Sequence, residues 1–382
     1  MIIAVPKETA AGENRVALVP LSAAALLKDG HEVRVQSGAG IASGFPDEHY
    51  SQRGATIVED RAQLIAGAKL IAQVRTAGAN PERAGDDLGM LQSGQVVVGF
   101  ADPLTSADAI RAVAERGVIL LAMELIPRIT KAQAMDALSS QANLAGYKAV
   151  IHAADVLKKI FPMLMTAAGT IQPARVFIVG AGVAGLQAIA TAKRLGAVVS
   201  AIDVRPEVKE QVESLGARFV MPPVQASGEG GYAKELTPEQ KAQQQVMMAD
   251  TVEESDVVIT TALIPGRPAP KLVSAEMVSR MKPGSVIVDL GAERGGNCEL
   301  TQPGRTIEHN GVTIVGSTNA PGDAARDASA MYSGNIVHLI RHLCGKTKEI
   351  QWNSDDPITT GAMVCRDGQI VHPQVKKAMG IA

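Results

Sequence analysis

Apolar positions along this chain fall into two alternating patterns. Short, nearly unbroken apolar runs occur in "MIIAVPK", "HEVRVQSGAG", "KLIAQVR", "QVVVGFA" and "VILLAMEL". Between them lie helical or loop segments, such as "PLSAAALLKDG", closed by Gly30. Continuous apolar strands alternating with helices predict parallel strands joined by crossover helices. A second block repeats the pattern in "ARVFIVGAG", "AVVSAIDVR", "ARFVMP", "SDVVITTAL", "GSVIVDLGA" and "VTIVGSTN". The two blocks are separated by a helical pattern from Thr130 to about Ile160, which Pro162 must end. "GDAARDASAMYSGNIVHLIRHLCGK" predicts a second long helix, and "GAMVCRDGQIVHP" a hairpin turning at Asp367-Gly368. The expected class is therefore α/β, with two Rossmann-like doubly wound domains joined by long helices. The first should comprise residues 1–135 and be completed by about 330–382; the second should comprise 136–329.

Length, charge and composition narrow this picture. A chain of 382 residues exceeds what one core usually serves. A net charge of -2 and 3% aromatic residues argue against nucleic acid as a partner. Three scattered cysteines, Cys298, Cys344 and Cys365, form no C-x-x-C, so neither a disulfide framework nor a metal site is expected. They suit a reducing cytoplasm. The N-terminus lacks a basic leader before an apolar core, so no signal peptide is expected. The longest uncharged run, "VFIVGAGVAGLQAIATA", is cut by glycines and reads as strand, turn and helix rather than a membrane span.

That run carries the clearest chemistry. Gly180, Gly182 and Gly185 lie between an apolar strand and an Ala-rich helix, in the G-x-G-x-x-G spacing. Such glycines allow a tight turn, backbone approach to a pyrophosphate and close helix–strand packing. The helix N-terminus then offers unpaired N–H groups to phosphate. Asp203, at the end of the second strand, stands where a carboxylate accepts from ribose hydroxyls, and it would repel a 2′-phosphate. NAD(H) is therefore expected over NADP(H) on this chain, although Arg205 weakens the argument because an arginine can accommodate that phosphate.

Other strand ends should face the same ligand. Leu263 follows one buried strand, Asp289 and Glu293 the next, and Asn319 the last, where it could bond a carboxamide. "PPVQASGEGGYAKELTPEQ" is rich in Gly and Pro and long for a connection, which suggests a lid with Tyr232 at its tip. A polar stripe precedes all of this. Gln133, Asp136, Ser140, Asn143 and Tyr147 recur at helical spacing. One reading is local: Thr130 and Gln133 form a capping box, and Asp136 suits the helix dipole. The other is functional.

Several blocks bear on that choice. "MELIPRITKAQAMDALSSQANLAGYKAV", "FPMLMTAAGTIQPARVFIVGAGVAGLQAIATAKRLGA", "GGYAKE" and "MKPGSVIVDL" resemble the NAD(H)-binding alpha subunit of proton-translocating nicotinamide nucleotide transhydrogenases, over essentially the whole chain. The chain is also similar to alanine dehydrogenases, which share the two-domain fold. The resemblance implies direct hydride transfer between NAD(H) here and NADP(H) on a partner subunit. Gln133 would reach toward the partner's NADP(H), Ser139 would hold the nicotinamide carboxamide, and Arg128 and Asp136 would flank them. It extends the cofactor site to Val183, Val204, Gly230, Gly231 and Gln244. It implies a homodimer held on the cytoplasmic face of the membrane by alpha-2 and beta type subunits. Alanine dehydrogenases handle the keto acid with a Lys and a His where this chain has Arg75 and Phe100. Reducing an imine needs a proton donor, whereas exchanging hydride between two nicotinamides needs none. An alanine-type dehydrogenase and a non-catalytic NAD-sensing module remain the alternatives.

Overall fold

A computed structural model describes residues 1–221 and 237–381. The chain forms two compact units, Met1–Gln141 with Gly322–Ala382, and Ala142–Pro321. The class is α/β, and the described strands lie in open sheets.

In the first unit, β1 (Ile2–Val5), β2 (Glu32–Gln36), β3 (Thr56–Val58), β4 (Leu70–Arg75), β5 (Val96–Phe100) and β6 (Ile119–Ala122) are parallel. Their order is β6-β5-β4-β1-β2-β3. Successive residues point to opposite faces, and both faces are filled. Val96 and Val98 join one core with Ile3 and Val5, while Val97 joins the other with Ala4 and Ile71. This is why the strands read as unbroken apolar runs. Helix Ala325–Cys344 returns to this unit and buries Leu339 and Ile340 against the first core.

In the second unit, β7 (Leu164–Thr166) and β8 (Gly169–Ile171) form a separate hairpin. The main sheet contains β9 (Arg175–Val179), β10 (Val198–Ile202), β11 (Arg218–Phe219), β12 (Val257–Thr260), β13 (Val286–Asp289), β14 (Thr306–His309) and β15 (Val312–Gly316). The order β11-β10-β9-β12-β13-β15-β14 reverses direction between β9 and β12. In the first unit, β16 (Met363–Arg366) and β17 (Gln369–Ile370) add antiparallel strands beyond β6. Asp367 and Gly368 at their turn have φ of 52° and 78°, as a two-residue hairpin demands.

The sequence pattern misses the short β3 and β14 and the β7–β8 hairpin. It also overextends one helix. Thr130–Met135 is a 3-10 segment after Ile129, without a side-chain cap, so Thr130 and Gln133 form no capping box. Asp136 breaks the helical path with ψ of 85°, and the α-helix runs only from Ala137 to Val156. A side-chain cap lies one turn later. Asp136 Oδ1 accepts the Ser139 N–H at 2.8 Å, and its Oδ2 accepts the Ser139 hydroxyl at 2.6 Å. Gln133 and Asp136 therefore precede the helix and do not share its face with Ser140, Asn143 and Tyr147.

Candidate dinucleotide site

The reversal of strand order in the second unit creates a crevice at the carboxyl ends of β9 and β12, the place where such sheets bind nucleotides. The turn after β9 is shaped by two of its three glycines. Gly180 has φ of 98°, and a Cβ there would stand 2.6 Å from Thr261 Oγ1. A Cβ on Gly185 would stand 1.9 Å from the Gly180 carbonyl oxygen, and backbone cannot step aside. Gly182 differs: its φ is ordinary and the nearest atom to a Cβ there, Arg205 Nη2, is 3.9 Å away. Among the described residues nothing requires glycine at 182, but an approaching pyrophosphate would use the space a Cβ fills.

Gly182 also caps helix Val183–Arg194, whose first internal bond runs from Leu186 N–H to Gly182 O. The amides of Val183, Ala184 and Gly185 thus have no acceptor within the helix and add the positive end of its dipole. Val183 is partly exposed at this tip.

Asp203 is held behind the turn and is 8% exposed. Its Oδ2 accepts from Ala181 N–H at 2.8 Å and from Arg205 Nη2 at 2.7 Å. Its Oδ1 accepts from Arg205 N–H and Nε, each at 2.9 Å. A carboxylate offers about four acceptor positions, so Asp203 is saturated by its own chain. The Asp203 hydrogen bonds, against the cost of burial, raise the Arg205 pKa above its ordinary value. Sequence reasoning placed Asp203 and Arg205 here but did not foresee that they bind each other. Val204 lies half-buried between them.

Across the crevice, Thr261 Oγ1 donates toward the Gly180 and Val179 carbonyls at 3.2 and 3.3 Å. Leu263, two residues on, is 43% exposed. Asn319 is half-buried in the loop after β15. Asp289 belongs elsewhere than expected. It is fully buried and accepts from Thr260 Oγ1, Gly291 N–H, Cys298 N–H and Thr301 Oγ1. It organises the loop after β13 and presents no carboxylate to a ligand. Gly230, Gly231 and Tyr232, and with them the expected lid, lie outside the described residues, as does the side chain of Gln244.

Gly146 carries a signal that sequence reasoning passed over. It sits mid-helix in Ala137–Val156, where a Cβ would stand 2.1 Å from the Ala184 carbonyl oxygen. A glycine inside a helix usually marks such a close approach. Here it lets the helix press on the backbone beside the dinucleotide turn.

The remaining candidates belong to the first unit. Arg128 and Gln133 are exposed, and Asp136 and Ser139 are engaged in the cap. Arg15 and Arg75 converge on Glu13: Arg15 Nε and Nη2 bind its two oxygens at 2.7 and 2.6 Å, and Arg75 Nε binds at 3.0 Å. Burial alone would raise the Glu13 pKa, but the hydrogen bonds and charge of Arg15, with the charge of Arg75, hold it below the usual range. Phe100 packs against Tyr332, with ring centroids 5.3 Å apart. Sequence reasoning also missed two buried acids. Burial, with Glu13 nearby, pushes Glu8 up to about 8; burial pushes Glu124 up to about 7. No sequence pattern distinguishes them from surface carboxylates. No metal-ligating cluster occurs among the described residues.

Family models described as "Alanine dehydrogenase/PNT" match the chain twice, the N-terminal domain over residues 4–145 and the C-terminal domain over 149–373. A relative from Rhodospirillum rubrum, the first part of an NAD(P) transhydrogenase subunit alpha, is 46% identical over 378 residues, covering 98% of each chain. A solved transhydrogenase structure from Sinorhizobium meliloti is 45% identical with a TM-score of 0.86, covering 97% of this chain and 100% of that one. A solved L-alanine dehydrogenase is 25% identical with a TM-score of 0.81, covering 100% and 99%.

Proposed function

This chain belongs to the alanine dehydrogenase/PNT family, and from that premise we propose that it is the NAD(H)-binding alpha subunit of a proton-translocating NAD(P) transhydrogenase. The observation that carries the reading is the turn at Gly180–Gly185: it leaves an open cradle at Gly182, ahead of free helix amides and beside Asp203. The nicotinamide ring, when bound, would supply the redox chemistry, giving hydride to NADP+ or taking it from NADPH on a partner subunit.

Each residue then has a physical task. The amides of Val183, Ala184 and Gly185 take the pyrophosphate, and Asp203 takes the adenosine ribose. Leu263 and Asn319 face the nicotinamide half; the carboxamide role of Ser139 is what the resemblance implies. Arg128, Gln133 and Asp136 set the partner's cofactor against it. This is catalysis by proximity and orientation, with no proton to move. The absence of a local acid/base requirement fits Arg75, tied to Glu13, and Phe100, packed on Tyr332. The exposed position of Gln133, with no capping duty, fits a contact beyond this chain.

The partners are a second copy of this chain and membrane subunits of alpha-2 and beta type, which would hold it at the cytoplasmic face. Among the described residues no helix is long and apolar enough to cross a membrane. The β7–β8 hairpin supports the homodimer. Met163, Leu164, Met165 and Ile171 are 57%, 46%, 73% and 46% exposed, and a lone two-stranded hairpin is marginal without a surface to cover it.

The test is single-turnover hydride transfer between this protein and a purified NADP(H)-binding partner. Gln133→Asn shortens the reach by one methylene; transfer should fall about a hundredfold while NADH affinity holds. An unchanged rate would remove Gln133 from the site. Transfer absent in the unaltered complex, with pyruvate and ammonia turned over by this chain alone, would replace the reading with an alanine-type dehydrogenase.

A further inference from the structure

The loop after β12 carries Leu263 into the crevice, yet its backbone is held by a residue from a different strand end. Asn297, wholly buried, points its side-chain amide at Ala262. Its Oδ1 accepts the Ala262 N–H at 3.0 Å, and its Nδ2 donates to the Ala262 carbonyl at 2.8 Å and to the Pro270 carbonyl at 2.9 Å. One side chain thus grips both polar groups of a single residue, as a neighbouring strand would. It also ties together the two ends of the 262–270 loop.

Asn297 is itself fixed from behind. Its carbonyl accepts from Leu272 and Val273 N–H groups at 2.7 and 3.1 Å. The next amide, Cys298 N–H, is held by Asp289 Oδ2 at 2.9 Å. Gly291 makes room: a Cβ there would stand 2.9 Å from Asn297 Oδ1. On the ligand side, Thr261 bonds the Gly180 carbonyl. A connected path therefore runs from Asp289 through Asn297 and Ala262 to Thr261 and the dinucleotide turn.

We propose that Asn297 is a positioning residue that sets the Ala262–Leu263 backbone as the wall for the nicotinamide half of the cofactor. The inference rests on the reading of this unit as an NAD(H) site. In an open sheet the dinucleotide crosses the switch point, so its adenosine half lies toward β10 and its other half toward β12 and β13. Asn297 acts on the second half alone, and this distinguishes it from a general brace.

The experiment compares NADH and ADP-ribose binding in the unaltered protein, Asn297→Ala and Asn297→Asp, with melting temperature recorded for each. Losing the three clamp bonds should weaken NADH about tenfold or more, and ADP-ribose, which lacks the nicotinamide, much less. Asn297→Asp keeps the shape and the acceptor but turns a carboxylate oxygen toward two carbonyls. Its NADH affinity should recover as pH falls, because a protonated carboxyl regains one donor. Parallel losses for both ligands, or no pH recovery, would reduce Asn297 to a structural brace and overturn the proposal. If the variants fail to fold, amide exchange at Ala262 in the unaltered protein decides: protection that rises with NADH but not with ADP-ribose supports the clamp, and equal protection with both overturns it. If the unaltered protein binds neither ligand, the cofactor reading itself fails, which is a separate outcome.

Discussion

Replacing Asp203 with alanine separates cofactor recognition from simple damage to the turn. In the unaltered protein the four acceptor positions of Asp203 are taken by Ala181 N–H, Arg205 N–H, and Arg205 Nε and Nη2. The adenosine ribose can bind Asp203 only by displacing the Arg205 side chain. NADH binding therefore exchanges one pair of charged hydrogen bonds for another. Asp203→Ala removes the ribose acceptor, and a hydrogen bond to a charged group contributes about 1.5–3 kcal/mol. Because displacing Arg205 offsets part of that bond in the unaltered protein, NADH should weaken only up to about tenfold, at about 1.4 kcal/mol per tenfold. NADPH should move the other way. The repulsion from Asp203 is gone, and Arg205, 12% exposed, loses its bonds to that carboxylate and can turn toward a 2′-phosphate. The Ala181 N–H also loses its acceptor, which loosens the turn, but that cost weakens both cofactors alike. The ratio of dissociation constants cancels it. Fluorescence titration of NADH and NADPH at one salt concentration gives the ratio directly. A ratio unchanged within about threefold, on that same scale, would refute the assignment of Asp203 to the ribose.

Two helix glycines should respond oppositely to alanine. Gly146→Ala drives a Cβ toward the Ala184 carbonyl, lowering the melting temperature and weakening NADH; unchanged melting and binding would deny the close contact. Gly334→Ala, in helix Ala325–Cys344, meets nothing within 4 Å and should stabilise by about 0.5–1 kcal/mol; denaturant unfolding measures it, and a loss would contradict the open space. Glu8 and Glu124 have folded pKa values of about 8 and 7, above the ordinary 4.5. Folded protein then binds more protons than unfolded protein between pH 4.5 and 8, so their contribution is greatest below 4.5 and declines as pH rises. Glu8→Gln and Glu124→Gln should flatten that decline in urea midpoints, and a slope unaltered by both would show the carboxyls ionise normally. Asp356 follows the reverse rule. Despite burial, which would raise it, the Thr359 and His342 hydrogen bonds bring it down to about 2, so its contribution is present above pH 3.8 and lost toward 2. Asp356→Asn should remove that acid-range loss, and an identical acid transition would refute it.

The double-sided burial of the parallel strands made them legible as apolar runs, and the G-x-G-x-x-G spacing marked the tight turn at Gly180 and the close packing at Gly185. Two short edge strands, β3 and β14, were not legible. Thr306–His309, "TIEH", buries little and owes its strand to pairing with Val312–Gly316. The helix at Ala137 was misjudged because Thr130-x-x-Gln133 and Asp136-x-x-Ser139 satisfy the same local rule, and only the fold chooses between them. Asn297 and Gly146 were missed for a related reason. Each matters through a partner distant in sequence, Ala262 and Ala184, and neither residue type announces such a partner.

The first unit is written in two pieces of chain with the second nested whole between them. During synthesis the ribosome delivers β1 to β6 first and then the entire inner unit. Only afterwards does it release helix Ala325–Cys344 and the two strands that close the sheet beyond β6. At about 5–20 residues per second, the early strands wait roughly 12–50 s for those last pieces. The inner unit can complete itself in that interval, while the β6 edge and the core face awaiting Leu339 and Ile340 stand uncovered. The order of manufacture thus leaves the outer unit incomplete longest, and truncations near the C-terminus should aggregate rather than yield a soluble remnant.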